Sequence, residues 1–276
     1  MGMKRKIDFM GVIVAEDCNP NGDPLNGNRP RIDMDGYGEM TDVCIKRKIR
    51  NRLQDMGEEI FIRMEERADD GCMSLNARQN SFKELSDEIK KKRKADIEKC
   101  KRLACEKWMD VRAFGQVFAF KGEEATFNVR GPVSLTLART IDTITIKEYM
   151  ITKSANGSDA DGKDSSTMGR RYCVDRGVYV FRGSMFPELA KKTGFSDNDA
   201  DKIKNAILTL MENDASGSRP SGSIALDRLF WWEHDERKRQ KPSAKVFRSV
   251  RFYPTDSYPY YEYDIVSDGM EPEIYE

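Results

Sequence analysis

Histidine is all but missing from this chain of 276 residues: His234 is the only one. A single imidazole leaves at most one candidate base for a Ser-His-Asp or Cys-His mechanism. His234 directly follows Trp231-Trp232-Glu233, so it is expected to be a strand-end residue and not a general base. Cys18, Cys44, Cys72, Cys100, Cys105 and Cys173 are scattered, with no CxxC and no CxxH. That pattern offers neither a zinc site nor a disulfide framework, and reduced thiols are expected. No metal or organic cofactor is expected. No apolar run approaches the ~18 residues of a membrane helix. The basic opening, Met1 to Lys6, leads into no stretch of signal-peptide character. A cytoplasmic protein without a membrane partner is expected. Nucleotide fingerprints of the GxxxxGK[ST] and GxGxxG kinds are absent as well.

What is present points to a folded, polar, charge-segregated protein. Charged residues make up 34% of the chain and mean hydropathy is -0.70, yet 13 Phe, 10 Tyr and 3 Trp argue against disorder. The 47 basic and 47 acidic residues cancel, but they are not mixed. Basic residues cluster at Lys46 to Arg52, Lys90 to Arg102, Arg170-Arg171 and Arg237 to Lys241, and beyond Arg251 only acids remain. Local fields decide whether a polyanion binds. A neutral chain with separate basic and acidic surfaces can hold nucleic acid on one side and dock on copies of itself with another.

Ile7 to Ala15 reads as a buried strand. The Gly/Pro/Asn/Asp stretch that follows, Asn19 to Asp42, reads as a long functional loop. Thr41 or Asp42 then caps a helix whose apolar stripe is Ile45, Ile49, Leu53 and Met56. Lys46, Arg47 and Arg50 fall on the opposite, solvent-facing arc, with Lys48 and Arg52 flanking the stripe. A second helical region is expected over Ser81 to Met109. Asp110 to Phe120 and Thr126 to Thr140 read as strands joined by a turn at Gly122-Glu123-Glu124. Tyr149 to Cys173 reads as a projecting β-hairpin with a polar tip at Ser154 to Ser166, running on into a strand over Tyr172 to Phe181. Ser196 opens a helix with the stripe Ile203, Ala206, Ile207, Leu210 and Met211, and Ile224 to Trp232 and Val246 to Tyr253 close the set as strands. The order contains the β-α-β-β-α-β ferredoxin-like pattern, which is also the RNA-recognition fold, with a helical insertion and a hairpin. The class is α+β, one domain over 1–276, with the insertion at 57–109, the hairpin at 149–173 and an acidic tail at 254–276.

Three constellations bear on function. A turn-rich loop feeding a capped helix exposes backbone N–H groups, and the cations Lys46, Arg47, Lys48 and Arg50 lie where successive phosphates would sit. Arg112, Phe114, Gly115 and Val117 echo an RNA-recognition consensus, but most of its stacking aromatics are missing, so that segment is read as a core strand. Asp23, Asp33, Asp35 and Asp42 could hold Mg²⁺, although aspartate in such turns more often serves local hydrogen bonding. No constellation supports a small-molecule enzyme.

Several runs carry a family resemblance: Asn19-Pro20-Asn21-Gly22-Asp23-Pro24, Pro30-Arg31-Ile32-Asp33, and the specific stretch from Thr41 to Asn51. Asp110 to Gly115, Val129 to Val133, Thr167 to Arg171 and Lys192 to Asp197 extend it in the same order. The chain resembles, from about residue 7 to 230, the backbone subunits of the type I-C CRISPR interference complex, Cascade, within the repeat-associated RNA-binding superfamily. The resemblance implies a palm, helical fingers at 57–109 and a β-hairpin thumb at 149–173. It also implies the partners: CRISPR RNA, target DNA paired to the guide, head-to-tail copies of the chain and other Cascade subunits. RNA contacts are expected at Asn19, Asn21, Arg29 and Arg31 in the loop, and at Lys46, Arg47, Lys48 and Arg50 on the helix. Arg112, Arg130, Met168, Arg170 and Arg171 complete the expected set, with Met168 as a wedge between bases. Because base pairing reads the sequence, such a subunit need only hold backbone and shape, and it is expected not to be an enzyme. The competing expectation is an RNA-guided, metal-dependent ribonuclease that uses Asp33 or Asp35.

Overall fold

The computed structural model describes residues 2–120, 125–152, 168–236, 240–266 and 269–276, with Met168 described by its backbone only. The turn expected at Gly122-Glu123-Glu124 and the hairpin tip from Ser154 to Ser166 lie outside the described residues.

Strand β1 (Ile7–Cys18) is the centre of the molecule, and every residue from Ile7 to Ala15 is buried. In the loop that follows, β2 (Gly22–Asp23) pairs with β3 (Arg29–Pro30), and β4 (Tyr37–Met40) leads into α1 (Asp42–Asp55). After helices α2 (Leu75–Ser81), α3 (Lys83–Ile89), α4 (Ile97–Lys107) and α5 (Met109–Phe114) come five short strands. They are β5 (Gln116–Phe118), β6 (Phe127–Val129), β7 (Val133–Leu135), β8 (Ala138–Thr143) and β9 (Ile146–Thr152). The long β10 (Met168–Met185), α6 (Pro187–Thr193), α7 (Asp197–Leu208) and β11 (Ile224–Glu233) follow. Helix α8 (Ser243–Phe247), β12 (Val250–Pro254), β13 (Tyr261–Ile265) and β14 (Glu273–Tyr275) complete the chain.

The main sheet is antiparallel, in the order β14-β11-β1-β10-β8-β4, with β7 and β9 pairing further along β10. The chain is thus an α+β protein built on an antiparallel sheet. β1 pairs with β10 on one side, Val12 opposite Val180, and with β11 on the other, Phe9 opposite Trp231. Two reciprocal glycine–aromatic pairs fix that register. A Cβ on Gly11 would come within 2.3 Å of the Phe181 ring, and one on Gly183 within 2.2 Å of the Phe9 ring. Each glycine lies opposite the ring that covers it, and close approach of this kind is why glycine persists in a strand interior.

Both faces of the sheet are covered. On one face Phe9, Ile13, Phe181 and Trp231 pack with Ile45, Ile49 and Leu53 of α1 and with Ala200, Ile203, Ala206 and Ile207 of α7. Thr41 caps α1 by accepting from the Cys44 amide at 3.1 Å. Ser196 and Asp199 form a capping box on α7. On the other face Met10, Val12, Val14, Val178, Val180, Phe230 and Trp232 lie under Val246 of α8 and Val250 and Tyr261 of the β12–β13 hairpin. The expected acidic tail is therefore part of the fold: β13 pairs with β12, and β14 pairs with β11.

Several expected elements are corrected. Asp110 to Phe114 is helical, not strand, because Asp110 is needed inside the protein as an acceptor, as described below. The 126–140 segment is broken into β6, β7 and the start of β8 around Gly131-Pro132, where proline lacks the ladder donor. The 81–109 region is interrupted between α3 and α4, and Val246 belongs to α8 and not to a strand. Helix α6, outside the expected elements, opens on Pro187 and ends at Gly194 in the left-handed region, φ 76°, a proline start and glycine stop.

The insertion has a core of its own. Phe61, Leu85, Cys100, Leu103, Trp108, Phe118 and Phe127 pack together, with Phe118 stacked on Phe127 at 4.5 Å and Phe61 tilted on Trp108 at 4.6 Å. The cluster runs past Met109 to Val129. A fully buried carboxylate welds it to α1. Asp110 accepts from the amides of Phe61 at 2.7 Å and Ile62 at 3.1 Å and from Arg50 Nε at 2.9 Å. The tightly packed backbone around Gly115 and Gly131 adds to the joint, since a Cβ on Gly131 would lie 2.2 Å from the Ala113 carbonyl. Removing one member of such a group strands a buried charge and costs about 3–5 kcal/mol. Asp110→Ala is accordingly expected to lower the unfolding free energy by roughly that amount in urea melts. A loss below about 1 kcal/mol, the value of an exposed pair, would contradict the weld.

Candidate nucleic-acid interface

The Asn19–Met40 loop is ordered by its own side chains. Asn19 is buried and its side-chain amide donates to the Asn28 carbonyl at 2.7 Å. Asn21 Oδ1 accepts from the Thr41 amide at 2.9 Å, tying the loop to the start of α1. Asp23 caps the short turn Pro24–Asn26 and pairs with Arg31 at 3.3 Å. Gly27 and Asn28 take left-handed backbones, φ 58° and 59°, which glycine and asparagine tolerate best.

This loop separates two clefts. The first, about 330 Å³, lies at the base of the β9–β10 hairpin and is lined by Asn19, Asn28, Arg170, Arg171, Tyr172 and Ser218. Arg29 joins it from above, its guanidinium 4.4 Å from the Tyr172 ring centroid. Glu148 reaches both Arg170 at 3.2 Å and Arg29 at 3.9 Å. Arg171 is half-buried and has no ion pair with any described residue. The second cleft, about 280 Å³, lies against α1 and is lined by Asn21, Arg47, Lys48, Asn51, Arg67 and Arg219 among others. Asp214 sits within it, paired with Lys48 and accepting from Arg219 Nε at 3.0 Å. Arg219 also approaches the Asn19 carbonyl, at 3.5 Å.

The structure divides the expected cations into two kinds. Arg47 is half-buried, and burial together with neighbouring Arg50 pushes its pKa down. Lys46 is held by Asp42 at 3.0 Å on the same helix face. Arg50 corrects the helical-wheel expectation: it is buried on Asp110, since the insertion packs over the arc that the wheel leaves to solvent. Lys48 is likewise buried. Arg112 stands on α5 and not on a strand, gripping Asp199 at 2.9 and 3.2 Å. Arg130 is exposed just after β6. Met168 opens β10 opposite Thr152, and its side chain lies outside the described residues. Arg67, Tyr172 and Arg219 were missed. Tyr172, directly after Arg170-Arg171, was the most legible of the three, and Arg219 stood in the Gly/Ser loop before Pro220.

Asp33 is already occupied. It accepts from the amides of Asp35 at 2.9 Å and Tyr37 at 3.0 Å and from Arg139 Nε at 2.7 Å. Burial pushes its carboxyl up, but the Tyr37 amide and Arg139 outweigh that and hold it below its ordinary value. Asp35 is exposed and reaches Arg139 only at 3.7 Å. Among the described residues no three His, Cys, Asp or Glu side chains are grouped to hold a metal ion, and no helix is long and apolar enough to cross a membrane.

Buried polar atoms without a hydrogen-bond partner concentrate at this place. Asn19 Oδ1, Arg31 Nε and Arg47 Nη1 are three of the seven such side-chain atoms among the described residues. Buried polar groups are almost always paired. The arginines that line the two clefts, Arg47, Arg67, Arg170, Arg171 and Arg219, form a donor set that an anionic acceptor with several oxygens fits, as a phosphodiester backbone would.

The chain matches the family described as CRISPR-associated protein Cas7 over residues 5–266. A curated relative from Haloferax volcanii, described as CRISPR-associated protein Cas7, is 25% identical over 235 residues. The match covers 78% of this chain and 66% of that protein, just under two thirds of the relative's length. Among solved structures, a chain of a CRISPR RNA-guided surveillance complex, pre-nicking, aligns with TM-score 0.52 at 14% identity, over 92% of this chain and 84% of that one. A chain of a second CRISPR RNA-guided surveillance complex aligns with TM-score 0.51 at 14% identity, over 92% and 77%.

The division of cations predicts different outcomes for neighbouring arginines. Arg47→Ala with Arg171→Ala is expected to lower the salt slope of single-stranded RNA binding by about 0.7 per lost phosphate contact, with the melting temperature little changed. Arg50→Ala is expected to lower the melting temperature first. Filter binding across a salt series decides: an unchanged slope in the double variant removes both residues from the interface.

Proposed function

The chain belongs to the CRISPR-associated protein Cas7 family, and from that premise we propose that it is a guide-RNA-binding backbone subunit of a type I-C Cascade surveillance complex. Copies lie head to tail along one CRISPR RNA, other Cascade subunits join them, and target DNA pairs with the bases left exposed. The run β11-β1-β10-β8, with α1 and α7 on one face, serves as the ferredoxin-like palm, the insertion as fingers and the β9–β10 hairpin as thumb. Such a subunit works in the cytoplasm, where its guide is made.

The observation that carries this proposal is the pair of arginine-lined clefts flanking the Asn19–Met40 loop, in which Arg47 and Arg171 have no ion pair with any described residue. Phosphates along a strand supply acceptors at regular intervals, and positioning of this kind needs no base edge. The aromatics at the centre of the sheet, Phe9, Tyr179, Phe181, Phe230, Trp231 and Trp232, are buried, which suits a protein that leaves reading to base pairing. We assign Asp33 a structural part, bracing the loop through Arg139, and not a metal-binding one.

The chain purified from cells expressing a CRISPR array is expected to carry one discrete small RNA, and a heterogeneous smear or no RNA would refute the proposal. Loaded with that guide, it is expected to leave complementary RNA intact in Mg²⁺ or Mn²⁺. Cleavage lost on Asp33→Ala or Asp35→Ala would instead establish a ribonuclease.

A further inference from the structure

The insertion carries a basic loop that lines neither cleft. Lys90 to Lys94 connect α3 to α4, and all five are exposed. The loop is clamped from within by Glu88, only 3% exposed. Glu88 accepts from Lys91 at 2.8 Å and from the Asp96 amide at 3.0 Å, and it pairs with Lys99 at 3.0 Å. Lys91, that amide and Lys99 hold the carboxyl at about 2, so the clamp stays charged at neutral pH. Lys90 reaches only Asp87, at 3.8 Å, and Arg93 and Lys94 have no ion pair with any described residue. Lys91 is thus matched within the loop, whereas Arg93 and Lys94 carry fixed positive charge with no anion paired to them among the described residues.

The matching charge lies elsewhere on the same chain. After Arg251 the sequence holds seven acids and no lysine or arginine. Alternation in the β12–β13 hairpin turns Phe252, Tyr261 and Tyr263 onto the main sheet. It leaves Tyr253 beside Glu262, and Arg251 beside Asp264, on the exposed outer face. This hairpin covers one face of the sheet, whereas the insertion is rooted on the other through Met109 and Ala113 of α5. With the sheet between them, the two surfaces meet only in different copies.

Resting on the head-to-tail assembly proposed above, we propose that the basic loop 90–94 of one copy docks on the acidic, tyrosine-bearing face of the β12–β13 hairpin of the next. Carboxylates at Glu262 and Asp264 pair with Arg93 and Lys94, and the Tyr253 ring offers a face to a cation. The surfaces differ, so the contact is heterologous and repeats without closing. A net charge of +0 keeps copies from repelling one another. Rim charges of this kind set orientation and register.

The test is a charge swap in the full-length chain. Lys90→Glu with Arg93→Glu and Lys94→Glu reverses the loop, and Glu262→Lys with Asp264→Lys reverses the hairpin face. Assembly is followed by sedimentation and electron microscopy on an RNA long enough for several copies, and single-copy binding on a short RNA. Each reversal alone is expected to weaken copy-to-copy association roughly tenfold while short-RNA affinity holds, and the two together are expected to restore association. Undiminished assembly, or no rescue by the combination, overturns the contact. Loss of short-RNA binding by the loop variant also overturns it and assigns the loop to nucleic acid. If the unmodified chain bound no RNA, the proposed function would fall. The contact would then be judged by low-salt self-association without RNA, which either reversal should abolish and the swap restore.

Discussion

A central strand that is dry on both faces sets the terms for everything else in this protein. Residues Ile7 to Ala15 of β1 are buried without a break: odd positions lie under α1 and α7, even ones under α8 and the β12–β13 hairpin. The face that an open four-stranded sheet would offer to bases is filled by Phe230, Trp232, Val250 and Tyr261. Those rings are thus closed to bases, whereas asparagines, arginines and Tyr172 are gathered in the loop and the hairpin beside the sheet. Under the proposed function such a donor set grips backbone, because every nucleotide carries the acceptors it needs.

The same burial explains why lysine and arginine count is a poor guide to the interface. Arg50, Lys48 and Arg112 are held by Asp110, Asp214 and Asp199, joining α1, α5, α7 and the 213–219 loop. A buried cation stripped of its partner is costly, so these pairs hold elements in place and do not exchange freely with phosphate. The cations with no ion pair to any described residue are fewer, among them Arg47, Arg171 and Arg130. Neighbouring cations on α1 thus differ in kind, Lys48 and Arg50 fixing the scaffold and Arg47 left without an ion pair to any described residue.

Much of the frame was legible in the sequence. Continuous apolar β1, the Thr41 cap and the Ser196 cap all follow from local chemistry, and the solitary His234 is indeed a buried strand-end residue, 2.7 Å from Asp8. Where local reading failed, long-range contacts had decided the outcome. Asp110 to Phe114 alternates like a strand, but three donors from other segments require Asp110 at the start of a helix. Arg50 looks solvent-facing on a wheel, because no wheel shows the insertion folding over it. Arg219 reaches the cleft from a loop 200 residues away from Asn19 in sequence, which no periodicity encodes. The family motifs named Asn19, Arg170 and Arg171 together, and folding brings those three into one cleft.

The central claim is that RNA lies along the loop side of the molecule and not on the sheet. Ultraviolet cross-linking of bound RNA followed by peptide mass spectrometry tests it most directly. The account predicts cross-links at Tyr172 and on peptides spanning Asn19 to Arg31 and Thr41 to Arg52. Cross-links confined to Phe230, Trp232 or the β12–β13 hairpin would contradict it.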